Sequence, residues 1–206
     1  MRMALLDVRD PVDPPAERTS SVRPVEIETI VAAARDIRPV GVLVELGTWA
    51  GGTAEELAAR LPDWSIVTID SYPRSVHCEK FAAKGVRWAQ DQVAGVLKRR
   101  KNISQVISDT ATVGARWAGP PVDILLVDSD HRAKHVVREL RAWTPHMDRR
   151  GRVCFHDYFY LPDAGDWHPG VHEAAEYVLP PRGWVRVPQF EAESLSTWER
   201  QDRRDA

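Results

Sequence analysis

Val42-Leu43-Val44-Glu45-Leu46-Gly47-Thr48-Trp49-Ala50-Gly51-Gly52-Thr53 decides how this chain folds. An apolar run from Val40 ends in an acid, Glu45, and a glycine-containing turn follows from Gly47 to Gly52. Ala54, Leu57, Ala58 and Leu61 then recur at i, i+3, i+4 and i+7 until Pro62, the period of a helix with one apolar face. Short apolar runs bounded by turn residues suit strands covered on both faces. The stretch therefore reads as a buried strand, a tight turn and a helix.

The same alternation extends in both directions. Before it, Pro24 opens a helical pattern through Ile27, Ile30, Val31, Ala34 and Ile37 that Pro39 stops. After it, strands are expected at Trp64–Ile69, Ile103–Ile107, Val122–Val127 and Gly151–Phe155. Helices are expected at Ala82–Lys98, His131–Trp143 and Gly170–Leu179. Trp184–Val187 and Leu195–Glu199 read as a terminal pair of strands. Strands alternating with helices predict an α/β fold, a mostly parallel sheet with helices on both faces. Residues 1–23 carry Pro11, Pro14, Pro15 and many charges and read as an N-terminal arm; residues 24–206 form one domain.

Composition narrows the function classes. Lys+Arg number 28 and Asp+Glu 30, a formal net charge of -2, which gives no bulk attraction to nucleic acid or an anionic membrane. Two cysteines, Cys78 and Cys154, are too few for a disulfide scaffold and fit a reducing cytosol. No window approaches the roughly 20 apolar residues of a membrane helix, so a cytoplasmic protein is expected. The 8 tryptophans either enrich the core or line a pocket for an organic ligand, and the sequence favours neither.

In open parallel sheets ligands bind beyond the carboxyl ends of the strands. Here those ends carry Glu45, Asp70, Asp109, Asp128 and His156-Asp157. Acids are ordinary turn formers, but five in a row on one edge exceed what turns require. The turn at Gly47 does not follow G-x-G-x-x-G and lacks the lysine of a phosphate loop. Glu45 would repel a pyrophosphate and suit a cation. Asp70 stands where an acid accepts ribose hydroxyls, and Asp109 where one meets an adenine amino group.

Glu45-x-Gly47-x-x-x-Gly51 with Asp70 resembles the first two motifs of class I methyltransferases. Three further stretches narrow this: Val127-Asp128-Ser129-Asp130-His131, Gly151-Arg152-Val153-Cys154-Phe155-His156-Asp157-Tyr158 and Gly170-Val171-His172-Glu173-Ala174. They are similar to a small family grouped with cephalosporin hydroxylase-like and macrolide sugar O-methyltransferases. The likeness runs from Val40 to Leu179. It implies a Rossmann-like seven-stranded sheet with a C-terminal antiparallel strand and S-adenosylmethionine as methyl donor. The donor's sulfonium, ammonium and ribose diol are all suited to acidic partners. Glu45, Gly47, Thr48, Trp49, Gly51, Asp70, Ser71, Asp109, Thr110 and Asp128 are the expected cofactor residues. The acceptor would be a small molecule such as a sugar or another natural product, and members of the family often associate into oligomers.

The resemblance also implies a divalent metal, Mg²⁺ or Mn²⁺, on Asp128, His156 and Asp157. His156 departs from the family, where Glu is frequent, and imidazole suits Mn²⁺, Fe²⁺ or Zn²⁺ better than Mg²⁺. His131 matches the family's candidate general base, with an ordinary pKa of about 6.5; a helix-cap histidine is the alternative reading. His131-x-x-x-His135 and His168-x-x-x-His172 have a zinc-compatible spacing, but a basic helical face explains the first pair more simply. The irregular aromatic segment after Asp157 suggests Tyr158, Tyr160, Trp167 and His168 as walls of the acceptor pocket; loop aromatics tucked into the core are equally expected. A competing class is a metal-dependent hydrolase or oxygenase built on Asp128, His156 and Asp157, which would leave the turn at Glu45 to Gly52 without a role. A binding domain that has lost its reaction is a third, and a dehydrogenase is the weakest.

Overall fold

The computed structural model describes residues 20–72, 85–160 and 169–203. In chain order the elements are α1 (Pro24–Ile37), β1 (Val42–Leu46), α2 (Gly52–Arg60), β2 (Ser65–Asp70), α3 (Gly85–Arg99), β3 (Ile103–Ile107), α4 (Thr110–Ala115), β4 (Val122–Val127), α5 (Ala133–Trp143), β5 (Met147–Phe155), α6 (Pro169–Val178), β6 (Trp184–Arg186) and β7 (Ser196–Arg200). The seven strands form one sheet in the order β3-β2-β1-β4-β5-β7-β6. β1 to β5 pair in parallel, and β7 runs antiparallel to both β5 and β6. The expected elements are all present among the described residues, residues 82–84 of the helix expected at Ala82–Lys98 lying outside them. One short helix, α4, was not anticipated; its six residues are too few to show a period.

Each sheet face carries its own core. Ile27, Ile30, Val31 and Ala34 of α1 pack with Leu57 and Ala58 of α2 against Leu43, Ile66, Ile124 and Leu126. On the other face Val136, Leu140 and Trp143 of α5 and Val171, Ala174 and Val178 of α6 cover Val44, Leu46, Leu125 and Val153. Burying Leu- and Val-sized side chains contributes about 1.5–3 kcal/mol each, so both helix layers are held by their apolar stripes. Trp64, Trp143, Trp184 and Trp198 are all buried, so the core reading of the tryptophans holds for these four. Among the described residues, no helix is long and apolar enough to cross a membrane.

The sheet order reverses between β1 and β4, which places a crevice at their carboxyl ends. The acids of β1, β2, β4 and β5 meet there because these strands are neighbours in parallel register. Not all of residues 1–23 stands apart as an arm: Val22 is buried, and Ser20 and Ser21 reach the crevice through Thr53 and Asp128.

Candidate active site

The exit of β1 is shaped by its glycines and by Asp70. Gly47 has φ +99°, and a Cβ there would lie 2.1 Å from the Asp128 carbonyl oxygen, so only glycine fits. Gly51 has φ +79° and forms the N-cap of α2. Asp70 Oδ2 accepts hydrogen bonds from the backbone N–H groups of Thr48 (3.1 Å) and Trp49 (2.9 Å), and Oδ1 from Tyr72 (2.7 Å). The Tyr72 hydroxyl donates to the Trp49 carbonyl at 3.0 Å and accepts from Gln105 at 2.8 Å. These bonds lock the turn after β1 to the end of β2. Trp49, Tyr72 and Asp157, at the exits of β1, β2 and β5, have positive φ. Such conformations cost about 1–3 kcal/mol each and concentrate at functional sites.

Glu45 lies at the bottom of the crevice and is fully buried. Its Oε2 accepts from the Thr68 hydroxyl, which pairs with Thr48 at 2.6 Å. Its Oε1 has no hydrogen-bond partner among the described residues. Burial pushes its pKa up to about 8; the Thr68 bond opposes this, and the charges of Asp128 and Asp70 add to it. Ser71 follows Asp70 and is exposed. Asp109 caps α4, its Oδ1 accepting from the Thr112 N–H at 2.8 Å and hydroxyl at 2.7 Å. Thr110 donates its hydroxyl to Glu139.

The exits of β4 and β5 form the other half. Asp128 Oδ1 lies 3.0 Å from His156 Nδ1 and 3.7 Å from His131 Nε2. Ser21 donates to Asp128 Oδ2 at 3.0 Å. Asp157 Oδ2 lies 3.4 Å from His131 Nε2 and 3.3 Å from His156 Nδ1. Behind His156, its Nε2 faces Glu26 Oε2 at 3.4 Å. Glu26, on α1 and fully buried, also accepts from the Arg23 N–H (2.7 Å), the Ser194 N–H (3.0 Å) and the Ser194 hydroxyl (2.6 Å). Burial alone would raise the Asp128 pKa, but His156 and His131 hold it well below the ordinary carboxylate range. Burial alone would lower both imidazole pKa values; Asp128 and its neighbours instead raise His131, and raise His156 further.

The ligand atoms of Asp128, His131 and Asp157 lie within 4.8 Å of one another and form a group that could hold a metal ion. His156 Nδ1, of the expected set, is 3.0 Å from Asp128 and 3.3 Å from Asp157, so His131 joins that set rather than replacing a member of it. His156 is 6% exposed, and its two ring nitrogens face carboxylates; the His131 side chain is more open, at 27%, although its Nε2 is buried between Asp128 and Asp157. His135 turns to Asp130, 3.5 Å away, so it does not converge with His131.

The aromatic segment also needs correction. Tyr158 does not line a pocket: it is 1% exposed, its hydroxyl donates to Glu176, and its ring packs against Phe159, His172 and Trp198. Tyr160 is 58% exposed. Trp167 and His168 lie outside the described residues.

Sequence reasoning missed Glu26, Glu139 and Ser21. For the first two a signal existed. Glu26 sits one residue before and four residues before the buried Ile27 and Ile30, and Glu139 lies between Val136 and Leu140. Acids on apolar helix stripes are seldom buried without a partner. Ser21 had no such signal.

Fold and site together define a class I methyltransferase. The chain belongs to the methyltransferase domain family, whose sequence model matches residues 44–158. No curated protein sequence matches it. Its structure is similar to the calicheamicin methyltransferase CalS11, with 15% identity over 85% of this chain and 77% of that chain and a TM-score of 0.63. It is also similar to the O-methyltransferase TomG from Streptomyces achromogenes, involved in tomaymycin synthesis and solved with S-adenosylmethionine: 18% identity, 87% and 80% coverage, TM-score 0.56. A precorrin-6y C5,15-methyltransferase from Geobacter metallireducens gives 15% identity, 90% and 91% coverage and a TM-score of 0.58. At these identities the likeness is one of fold. The family match sets aside a hydrolase or oxygenase on Asp128, His156 and Asp157.

Proposed function

We propose that this protein transfers a methyl group from S-adenosylmethionine to a hydroxyl of a small organic acceptor, with His131 as general base and a divalent cation on Asp128 and Asp157. The observation that carries the reading is Glu45. It is a fully buried carboxyl with an unpartnered oxygen, and its electrostatic neighbours Asp70 and Asp128 are negative. A ligand bearing positive charge suits that place, and a phosphate does not. The donor supplies a methyl group made electrophilic by its sulfonium.

The residues of the chain do the rest. Gly47, Thr48, Trp49 and Gly51 give a backbone that a ligand can approach closely. Asp70, its orientation fixed by three N–H groups, presents a carboxylate toward a ribose diol. Ser71, Asp109 and Thr110 border the adenosine end. His131 Nε2, between Asp128 and Asp157, accepts the acceptor's proton. Asp128 and Asp157, on either side, orient that imidazole and stabilise its protonated form. Without a cation these acids raise its pKa above the ordinary 6.5, and a cation on them would oppose that rise. A cation on the two carboxylates would lower the pKa of the acceptor hydroxyl. Tyr160, with Trp167 and His168, is assigned to the acceptor side.

A second reading is favoured by the closeness of the three ligand atoms: His131 is itself the third metal ligand. An imidazole with two carboxylates suits Mn²⁺ better than Mg²⁺. Pulsed electron paramagnetic resonance of the Mn²⁺-loaded protein separates the two readings. Nitrogen coupling lost in His131→Ala supports the ligand role, and its absence in the wild type supports the base.

The proposal is tested by thermal denaturation with S-adenosylhomocysteine. At a hundredfold excess over Kd, stabilisation of roughly 5–10 °C is expected for a chain this size. Asp70→Ala should abolish most of it. A folded wild type that shows no shift contradicts the proposal.

A further inference from the structure

Glu139 sits in the middle of the apolar stripe of α5 and is 2% exposed, and the mechanism above does not use it. Its Oε1 accepts from the Ser129 hydroxyl at 2.5 Å and from the Thr110 hydroxyl. Ser129 directly follows Asp128 at the exit of β4, and Thr110 directly follows Asp109 at the exit of β3. β3 and β4 are not neighbours, since β2 and β1 lie between them. One carboxyl oxygen therefore ties two loops that the sheet itself does not join. The Trp143 indole, one helical turn on, donates to the Thr110 carbonyl at 3.0 Å and reinforces the same tie. Glu139 Oε2 is buried and has no partner among the described residues.

A buried acid in an otherwise apolar helix face costs stability unless it is hydrogen-bonded or paired, and an apolar residue there is often as stable or more so. A leucine would pack against Val136 and Leu140 but could not accept two hydroxyls. We propose that Glu139 is a positioning residue for the methyl donor: by accepting from Ser129 and Thr110 it sets the spacing of the β3 and β4 exit loops, and with it the fit of the adenosine end. This rests on the cofactor placement proposed above.

The protonation state follows from the surroundings. Burial pushes the Glu139 pKa up to about 7, against the two hydroxyl bonds and with help from the charges of Asp130 and Asp109. Those two acids are themselves paired, Asp109 with Arg138 at 3.4 Å and Asp130 with Arg132 and with His135 at 3.5 Å. Below its pKa the neutral carboxyl accepts both hydroxyls without placing a net charge between the loops. Above it, a buried anion faces Asp109 and Asp130, and the tie is strained.

The test is isothermal titration with S-adenosylhomocysteine between pH 6 and 8 on the wild type, Glu139→Gln and Glu139→Leu, with circular dichroism to confirm folding. Glu139→Gln keeps a neutral acceptor, so its affinity at pH 6 should stay within about twofold of wild type. It should also lose the component of the pH dependence centred near 7. Folded Glu139→Leu should bind roughly tenfold more weakly, the order expected when buried hydroxyls lose their partner. Wild-type affinity in folded Glu139→Leu would overturn the proposal. If the leucine variant does not fold, a Glu139→Gln profile identical to wild type overturns it. A wild type that gives no heat at any pH removes the cofactor placement on which it rests. Binding by the wild type with unaffected variants removes the role of Glu139 alone.

Discussion

The two halves of the crevice use the same residue type in opposite electrostatic settings. At the exits of β1 and β2, Glu45 and Asp70 face each other with hydroxyls and backbone N–H groups as their partners, and the Glu45 pKa rises to about 8. At the exits of β4 and β5, Asp128 and Asp157 are interleaved with His131 and His156, and the Asp128 pKa falls. Both buried acids are desolvated; the difference lies in the partner. The second half carries positive charge of its own. The first would acquire it with the cationic ligand proposed for it. A methyl donor with a sulfonium and an ammonium fits the first half, and a hydroxyl that must lose a proton fits the second.

The largest effect should come from breaking the second half. Asp128→Ala leaves His156 beside Glu26 without its nearer carboxylate, and loss of one partner from a buried pair costs about 3–5 kcal/mol. Urea denaturation at pH 6.5 checks this; a loss below about 1 kcal/mol would show that the two halves do not differ as described. The pH dependence has two signs. The stability from Asp128 is present above its ordinary 3.8 and is lost as pH falls toward its depressed native value. The stability from His156 is complete below 6.5 and is lost as pH rises through its raised native value.

Glu26→Gln should have an intermediate effect, about 1–3 kcal/mol, because the amide keeps an acceptor for Ser194 but removes the charge facing His156. The same denaturation series measures it. Glu45→Gln should act on stability in the opposite direction, by an amount that depends on pH. Glu45 has a raised native pKa, so the native state binds more protons than the unfolded chain between about 4.5 and 8 and loses stability across that window. The glutamine variant lacks this loss and should match or exceed wild-type stability at pH 8.5, while binding S-adenosylmethionine roughly tenfold more weakly. Wild-type affinity in that variant would place the cation elsewhere.

The strand tips were legible because period and punctuation are local properties. The apolar run to Glu45, and those to Asp70 and Asp128, marked their own ends, and parallel pairing then brought these acids to one edge. Which histidine is the more open was not legible. His131 and His156 differ by their depth in the fold, and that depth depends on Glu26, which is 130 residues away from His156 in the chain and reaches it only after α1 docks. Tyr158 misled for a related reason. It follows the strand end like a lid residue, but its left-handed neighbour Asp157 turns the chain inward, and the ring enters the core. Glu139 was visible as an acid on an apolar stripe; its partners were not, since they lie on loops that only the folded sheet brings together.

The proposed function turns on buried Glu45 meeting the donor's positive charge. Titration of the protein with S-adenosylmethionine at pH 7, in two buffers of different ionisation enthalpy, tests it most directly. Binding should release between about half a proton and one proton, because a cation nearby lowers the pKa of a carboxyl that is mostly protonated at that pH. Glu45→Gln should release markedly less. Binding with no buffer-dependent heat in the wild type, or with equal release in the variant, would contradict the claim.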